Sequence, residues 1–183
     1  MPARGTETAD QPPAALLQIV GVIDTLSEWS GRIFAWLIIP LVAGLTYEVL
    51  ARYLFNAPTI WAYDLSYMLY GAHFMLGAGY TLLKGGHIRT DIFYQSWSPR
   101  TQGKVDALLY LLLFFPGMLF FFWMGGQEFW QAWSIGERSD ASPWRPILYP
   151  LKATLPLGAL LLLVQGVSEF IKSGHLALRG RPL

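Results

Sequence analysis

A chain of 183 residues that is 54% hydrophobic and 14% charged carries too few charges for a soluble domain, where about a quarter of residues are charged. A net charge of +1 gives a nucleic-acid partner no electrostatic footing, and the absence of cysteine removes disulfides, thiolate chemistry and cysteine metal ligands. The class that remains is an all-α integral membrane protein.

Residues 1–13 are polar, end in two prolines and read as a disordered tail. They lack a basic region set against a short apolar stretch, so a signal peptide is not expected. Residues 14–30 begin apolar over about half a spanning length and then turn polar at Asp24, Ser27, Glu28 and Ser30. This pattern predicts an amphipathic helix in the membrane interface, with an extended leader as the alternative.

The first span is expected at 32–54, interrupted by Pro40, which membrane helices tolerate as a bend. Glu48 and Arg52 stand four apart near its end, where they either pair on one face or snorkel separately to the headgroups. Residues 55–60 form a short turn. Asn56 or Thr59 is placed to cap the next helix, and Pro58 suits its first turn. Trp61 is an interfacial anchor by type, and Asp64 puts a negative charge at the positive end of the helix. So short a turn makes the first two spans antiparallel neighbours and invites an Arg52–Asp64 contact across it.

The second span, 61–83, is rich in small residues, with Gly71 and Ala78 on one face, which favours close packing in lipid. His73 lies near its middle, where a lone histidine without clustered acids reads as a neutral, hydrogen-bonded packing residue rather than a proton relay. Residues 84–104 form a basic loop, with Lys84, Arg89, Arg100 and Lys104 against Asp91, and aromatic residues suited to the interface. His87 and Asp91 are two ligand types near each other, too few for a metal site.

The third apolar segment, 105–133, would extend about 44 Å as a helix against a hydrocarbon core of roughly 30 Å, so it tilts or leaves the bilayer at one end. Pro116–Gly117 and Gly125–Gly126 are its bend points. A polar turn follows at 134–150, with Glu137, Arg138 and Asp140 clustered at its start. The fourth span runs over 151–172, where Gln165 and Glu169 share a face, and 174–183 form a tail. Four spans over 31–173 put both termini on one side. Nine of the thirteen lysines and arginines fall on that side, and the other side holds Arg52, Arg138, Arg145 and Lys152. The asymmetry places the termini in the cytoplasm.

No phosphate loop, serine elbow or H-E-x-x-H pair occurs, and His73, His87 and His175 fall in separate places. Nor does an inverted repeat mark a transporter working alone. A helix-packing subunit of a larger complex fits better. The alternatives are an assembly subunit of another membrane complex, respiratory for example, or a small haem- or quinone-linked enzyme.

Arg52-Tyr53-Leu54-Phe55-Asn56, Pro58, Trp61, the acid at 64, the small-residue second span and Gly86-His87-Ile88-Arg89-x-Asp91 together resemble the small membrane subunit of tripartite ATP-independent periplasmic (TRAP) transporters, the DctQ-like small permeases. The resemblance covers residues 30–173. Family members commonly carry glutamate where this chain has Asp64, which keeps the charge and shortens the reach. Glu137-Arg138-Ser139, Pro146, Pro150 and Leu155-Pro156-Leu157 are similar to the branch labelled mannitol/chloroaromatic.

The resemblance implies sodium-coupled uptake of organic anions in the bacterial inner membrane. Its partners would be a large membrane subunit, as a separate chain, and a periplasmic solute-binding protein, besides membrane lipids. It implies no cofactor in this chain, with sodium bound by the large subunit, and no catalysis. Glu48, Arg52, Asn56, Trp61 and Asp64 would serve folding or subunit contact. His87, Arg89 and Asp91 would organise the cytoplasmic loop, and Glu137, Arg138 and Asp140 would face a periplasmic partner.

Overall fold

The computed structural model describes residues 12–87 and 94–183, and the described residues form helices and turns with no strand beyond a single β-bridge, Arg138 with Ile147. In chain order the helices are α1 (Ala14–Ala35), α2 (Ile38–Leu54), α3 (Ala62–Leu83), α4 (Pro99–Leu109), a π-helical turn (Tyr110–Phe114), α5 (Phe115–Ile135) and α6 (Tyr149–Arg179). The expected disordered tail, residues 1–13, lies outside the described residues up to residue 11.

Three stretches are long and apolar enough to cross a membrane: Ala14–Leu54, Pro99–Ile135 and Tyr149–Arg179. The expected second span, α3, is not among them. At 22 residues it reaches about 33 Å. Its length therefore suffices, but Asp64, His73 and four tyrosines dilute its apolar character.

The first stretch is nearly one helix. Its break comes at Trp36–Leu37, later than the boundary expected near residue 31, and Pro40 explains the position. Proline has no N–H to offer the carbonyl four residues back, which is that of Trp36. That carbonyl accepts from Ile39 at 3.1 Å instead, and Trp36 and Leu37 donate three residues back to Ile33 and Phe34. The helix tightens for a turn and resumes.

The second stretch, which holds the expected third span, begins at Pro99 instead of the expected 105. Ser98 caps it, accepting from the Thr101 N–H at 3.3 Å, and Pro99 occupies the first turn, where its missing N–H is not needed. At the expected bend near Pro116 the helix widens just upstream, where the Phe115 N–H reaches back five residues to the Tyr110 carbonyl. α6 runs on through what reads as a tail and stops only at Gly180, whose φ of 72° is left-handed.

Close contacts fix the direction of each helix. Gly31 lies on Tyr80, His73 on the Phe34 carbonyl, and Gly44 near Trp61 and Leu65, so α1–α2 runs antiparallel to α3. α3 and α6 run parallel: a Cβ on Gly158 would stand 2.6 Å from the Met75 carbonyl, and one on Gly79 would stand 3.2 Å from that of Leu161. α4–α5 runs antiparallel to α6, from Gly103 against Ser173 and Ala177 to Trp133 against Tyr149. The result is an up-down-up-down bundle in which the start of α1 and the end of α6 share one end. Glycine appears where backbones touch because lipid supplies no hydrophobic drive and close van der Waals contact must do the work.

α1 does not lie apart as a purely interfacial helix. It buries Val20, Ser27 and Gly31 against α3 and α6, and its acids turn inward. Ile19, Val22, Leu26, Trp29 and Ile33 remain exposed on its outer face.

Candidate functional site

The polar side chains gather at the two ends of the bundle, and a groove between α2 and α3 opens beside one of them. The first gathering lies at the end that carries the 55–61 and 136–148 turns. α5 closes there on Gly136, left-handed at φ 61°, with the Glu137 N–H bonding the Ala132 carbonyl at 2.9 Å. The chain then folds back on itself: Ser139 donates its N–H to Pro146, and Leu148 donates to Glu137, both at 2.9 Å.

This folded turn is held down by Asp64, which is 1% exposed in the first turn of α3. The Asp64 carboxylate accepts from the hydroxyl of Ser139 at 2.5 Å and from that of Ser142. Ser139 and Ser142 in turn accept from the N–H groups of Ala141 and Trp144, so the serines fix the loop as well as its anchor.

The expected Arg52–Asp64 contact does not occur. Arg52 donates to Glu48 at 2.8 Å, the pairing on one face anticipated from the spacing, while Asp64 is taken by the loop. The second oxygen of Glu48 accepts from Thr59, from its N–H at 2.9 Å and from its hydroxyl. Neither Thr59 nor Asn56 caps α3; no side chain does. Thr59 is committed to Glu48, and Asn56 stands at φ 50°, a left-handed position that turns the chain out of α2. Trp61 stacks on Tyr47 with ring centres 5.8 Å apart.

The acids and arginine expected to face a partner diverge. Glu137 turns inward to Lys152 at 2.7 Å, and Lys152 also reaches Glu128 at 3.2 Å. Asp140 turns outward, 84% exposed, and pairs with Arg145 at 2.6 Å, while Arg138 donates to the Arg145 carbonyl. Arg138, Asp140 and Arg145 are exposed, whereas Glu137 is half-buried.

The second gathering lies between α1 and α6. Asp24 accepts from Gln165 at 3.0 Å, Ser168 at 2.6 Å and Lys172 at 2.8 Å, and Lys172 also donates to Glu169 at 2.7 Å. Gln165 and Ser168 are fully buried, and the Gln165 carbonyl oxygen has no partner among the described residues. The shared face of Gln165 and Glu169 is legible in the sequence. Ser168 and Lys172 extend it at helical spacing, and that signal was there to be read. What the sequence does not state is that Asp24 meets it.

Beside this cluster Glu28 bridges Arg32 at 3.0 Å and Lys84 at 2.5 Å. Lys84 lies beyond the end of α3, and its hydrogen bond to Glu28 raises its pKa above the ordinary lysine value. His87 is exposed just after Gly85 and Gly86, which end α3 as expected; Arg89 and Asp91 lie outside the described residues. His73 bonds the Phe34 carbonyl at 3.2 Å, a packing role. Among the described residues no three histidines or acids converge as a metal site.

Among the described residues the ion pairs tie turns to helices and helices to one another. The family is shown by comparison with known families. Residues 41–173 match the family model of tripartite ATP-independent periplasmic transporters, DctQ component, and the chain belongs to that family. None of the curated proteins matches the sequence.

Membership makes this chain a small membrane subunit of a TRAP transporter, a multi-pass membrane protein and a transporter component rather than an enzyme. The haem- or quinone-linked reading therefore falls away, as does that of an assembly subunit elsewhere. The family implies a large membrane subunit and a solute-binding protein as partners. The match is to the family and resolves no branch within it.

Proposed function

We propose that this chain is the small permease subunit of a sodium-coupled importer of organic anions, scaffolding the large transport subunit in the bacterial inner membrane. The observation that carries the reading is the family match from residue 41 to 173, which takes in almost all of α2 and every later helix as far as Ser173, within the last two turns of α6. Sodium coupling and the anionic substrate come from the resemblance in the motifs around Arg52, Asp64 and His87. The similarity of Glu137-Arg138-Ser139 to the mannitol/chloroaromatic branch adds no substrate.

In this reading the chain crosses the membrane four times. α3 is taken as the fourth crossing because it lies along α6 and along the paired α1–α2, with α2 beside its first half and α1 beside its second. The excess of lysine and arginine at the end holding Lys84, Arg100, Lys172 and Arg179 puts both termini in the cytoplasm. The folded 136–148 turn is then periplasmic, where Asp140, Arg138 and Arg145 are placed to meet the solute receptor.

The test is uptake in liposomes containing the large subunit, with the receptor outside and a sodium gradient across the membrane. Uptake is expected to need all three proteins and the gradient. Undiminished uptake without this chain sinks the scaffolding role, and undiminished uptake without sodium sinks the coupling.

A further inference from the structure

Two stretches of the outer surface differ in kind. The π turn and α5 expose Leu112, Leu113, Leu119 and Phe120, side chains that carry no hydrogen-bonding atom. α3 exposes Tyr63, Tyr67 and Tyr70 at 68, 58 and 62%, followed by Phe74. The spacing 63, 67, 70, 74 is the heptad stripe by which one helix meets another.

None of the three phenols makes a hydrogen bond within the described residues. Next to them a groove of about 480 Å³ runs between α2 and α3, floored by Leu41, Leu45 and Ser66 and headed by the Glu48–Arg52 pair. Glu48 is spent on Arg52 and Thr59, while the Arg52 side chain stays 53% exposed. The groove therefore offers hydroxyls that can donate and one cationic donor, Arg52, and an occupant that brings acceptors satisfies them all.

Depth decides what kind of occupant. Tyr70 is nine residues past Trp61, about 13 Å along the helix axis. With Trp61 at the interface, that is near the middle of a roughly 30 Å core. Lipid phosphates and esters stay near the surface, and acyl chains accept nothing. Acceptors at that depth are protein groups: carbonyl oxygens of an irregular or small-residue helix, or Ser, Thr, Asn and Gln side chains.

We propose that the Tyr63–Tyr67–Tyr70 face of α3, with its groove against α2, is the docking surface for a membrane-spanning helix of the large subunit. That helix carries small residues for close approach, hydrogen-bond acceptors at the depths of Tyr67 and Tyr70, and an acidic or carbonyl group opposite Arg52. The proposal rests on the small-permease reading and adds where and by what chemistry the contact is made. The Leu/Phe surface of α5 faces lipid.

The experiment uses the intact complex in membranes. A benzophenone amino acid replaces Tyr67, Tyr70, Leu113 or Phe120, one at a time, and the sample is irradiated after co-production with the large subunit. Adducts to the large subunit are expected at 67 and 70, with lipid adducts alone at 113 and 120. Lipid adducts alone at 67 and 70, or adducts to a second copy of this chain, overturn the proposal, as does a large-subunit adduct confined to 113 and 120. All of those outcomes leave the small-permease reading intact as long as the two chains co-purify.

The reading itself fails if the unmodified chains do not associate, and the docking proposal falls with it. Tyr67→Phe and Tyr70→Phe remove only the hydroxyls and should weaken association roughly threefold each. Unchanged association in the double variant overturns the hydrogen-bonding part.

Discussion

The two ends of the bundle hold similar side chains and use them differently. At the Asp64 end most partners are loops: a buried carboxylate takes two serine hydroxyls from the 136–148 turn, and Glu48 takes Thr59 from the 55–61 turn, with Lys152–Glu128 as a helix-to-helix pair. At the Asp24 end the partners are helices: α1 is tied to α6 through Gln165, Ser168 and Lys172, and to the end of α3 through Glu28 and Lys84. One end shapes a surface, and the other sets helix positions. Losing a tie at the first should loosen a turn and spare the bundle, whereas losing one at the second should let α1 part from its neighbours.

The largest effect is expected where both ends depend on one contact. Gly158 lets α6 touch α3 midway, and Gly158→Val drives a side chain into the Met75 carbonyl. Overpacking of this kind should cost about 3 kcal/mol, and thermal unfolding in nanodiscs would record both ends failing together. Next comes Asp64→Ala, which strands two serine hydroxyls and should cost about 2 kcal/mol. Protease cleavage between 137 and 147 should rise sharply while the helical circular dichroism signal holds. Loss of helix at the same rate would erase the distinction drawn between the ends.

Lys172→Ala leaves Asp24 and Glu169 facing each other without a cation. With Ser168 and Gln165 still in place, the loss should be about 1–2 kcal/mol, and spin labels on α1 and α6 should report greater separation. Separation unchanged from wild type would mean that apolar packing alone positions α1.

The smallest effect belongs to Lys84. Its folded pKa lies above its ordinary value because of Glu28. The stabilisation is therefore fully present below that ordinary value and disappears as pH rises through the higher folded one. Between about pH 6 and 9 the unfolding temperature of wild type and Lys84→Gln should run parallel, converging only in strong alkali.

How much of this was legible from the sequence varies by feature. The bundle's helices follow from apolar runs punctuated by glycine and proline, so their existence could be read directly. Their limits depend on single residues. Pro40 acts on a carbonyl four positions upstream, so the break lies at Trp36–Leu37 and not where polarity changes. Ser98–Pro99 is a helix start that the surrounding basic residues disguise as loop.

The Glu48–Arg52 pair was visible because both members sit on one helix. Asp64 was expected to face Arg52 and instead holds two serines. Its ligands are 75 and 78 residues away in a turn whose shape depends on its own internal bonds. Asp24 was likewise assigned to an interface because the helix bearing it reads as amphipathic. In the structure the polar side of that helix is the inner one.

That inversion has a consequence for synthesis. Asp24 is made 144 residues before Ser168, its hydroxyl donor, and longer still before Lys172, which neutralises it. The nascent α1 therefore carries an acid with no long-range partner until synthesis reaches α6. A chain stopped before α6 should leave its first helix accessible to water-soluble reagents and seat it only when the last helix arrives, so that the first segment made is among the last to reach its final place.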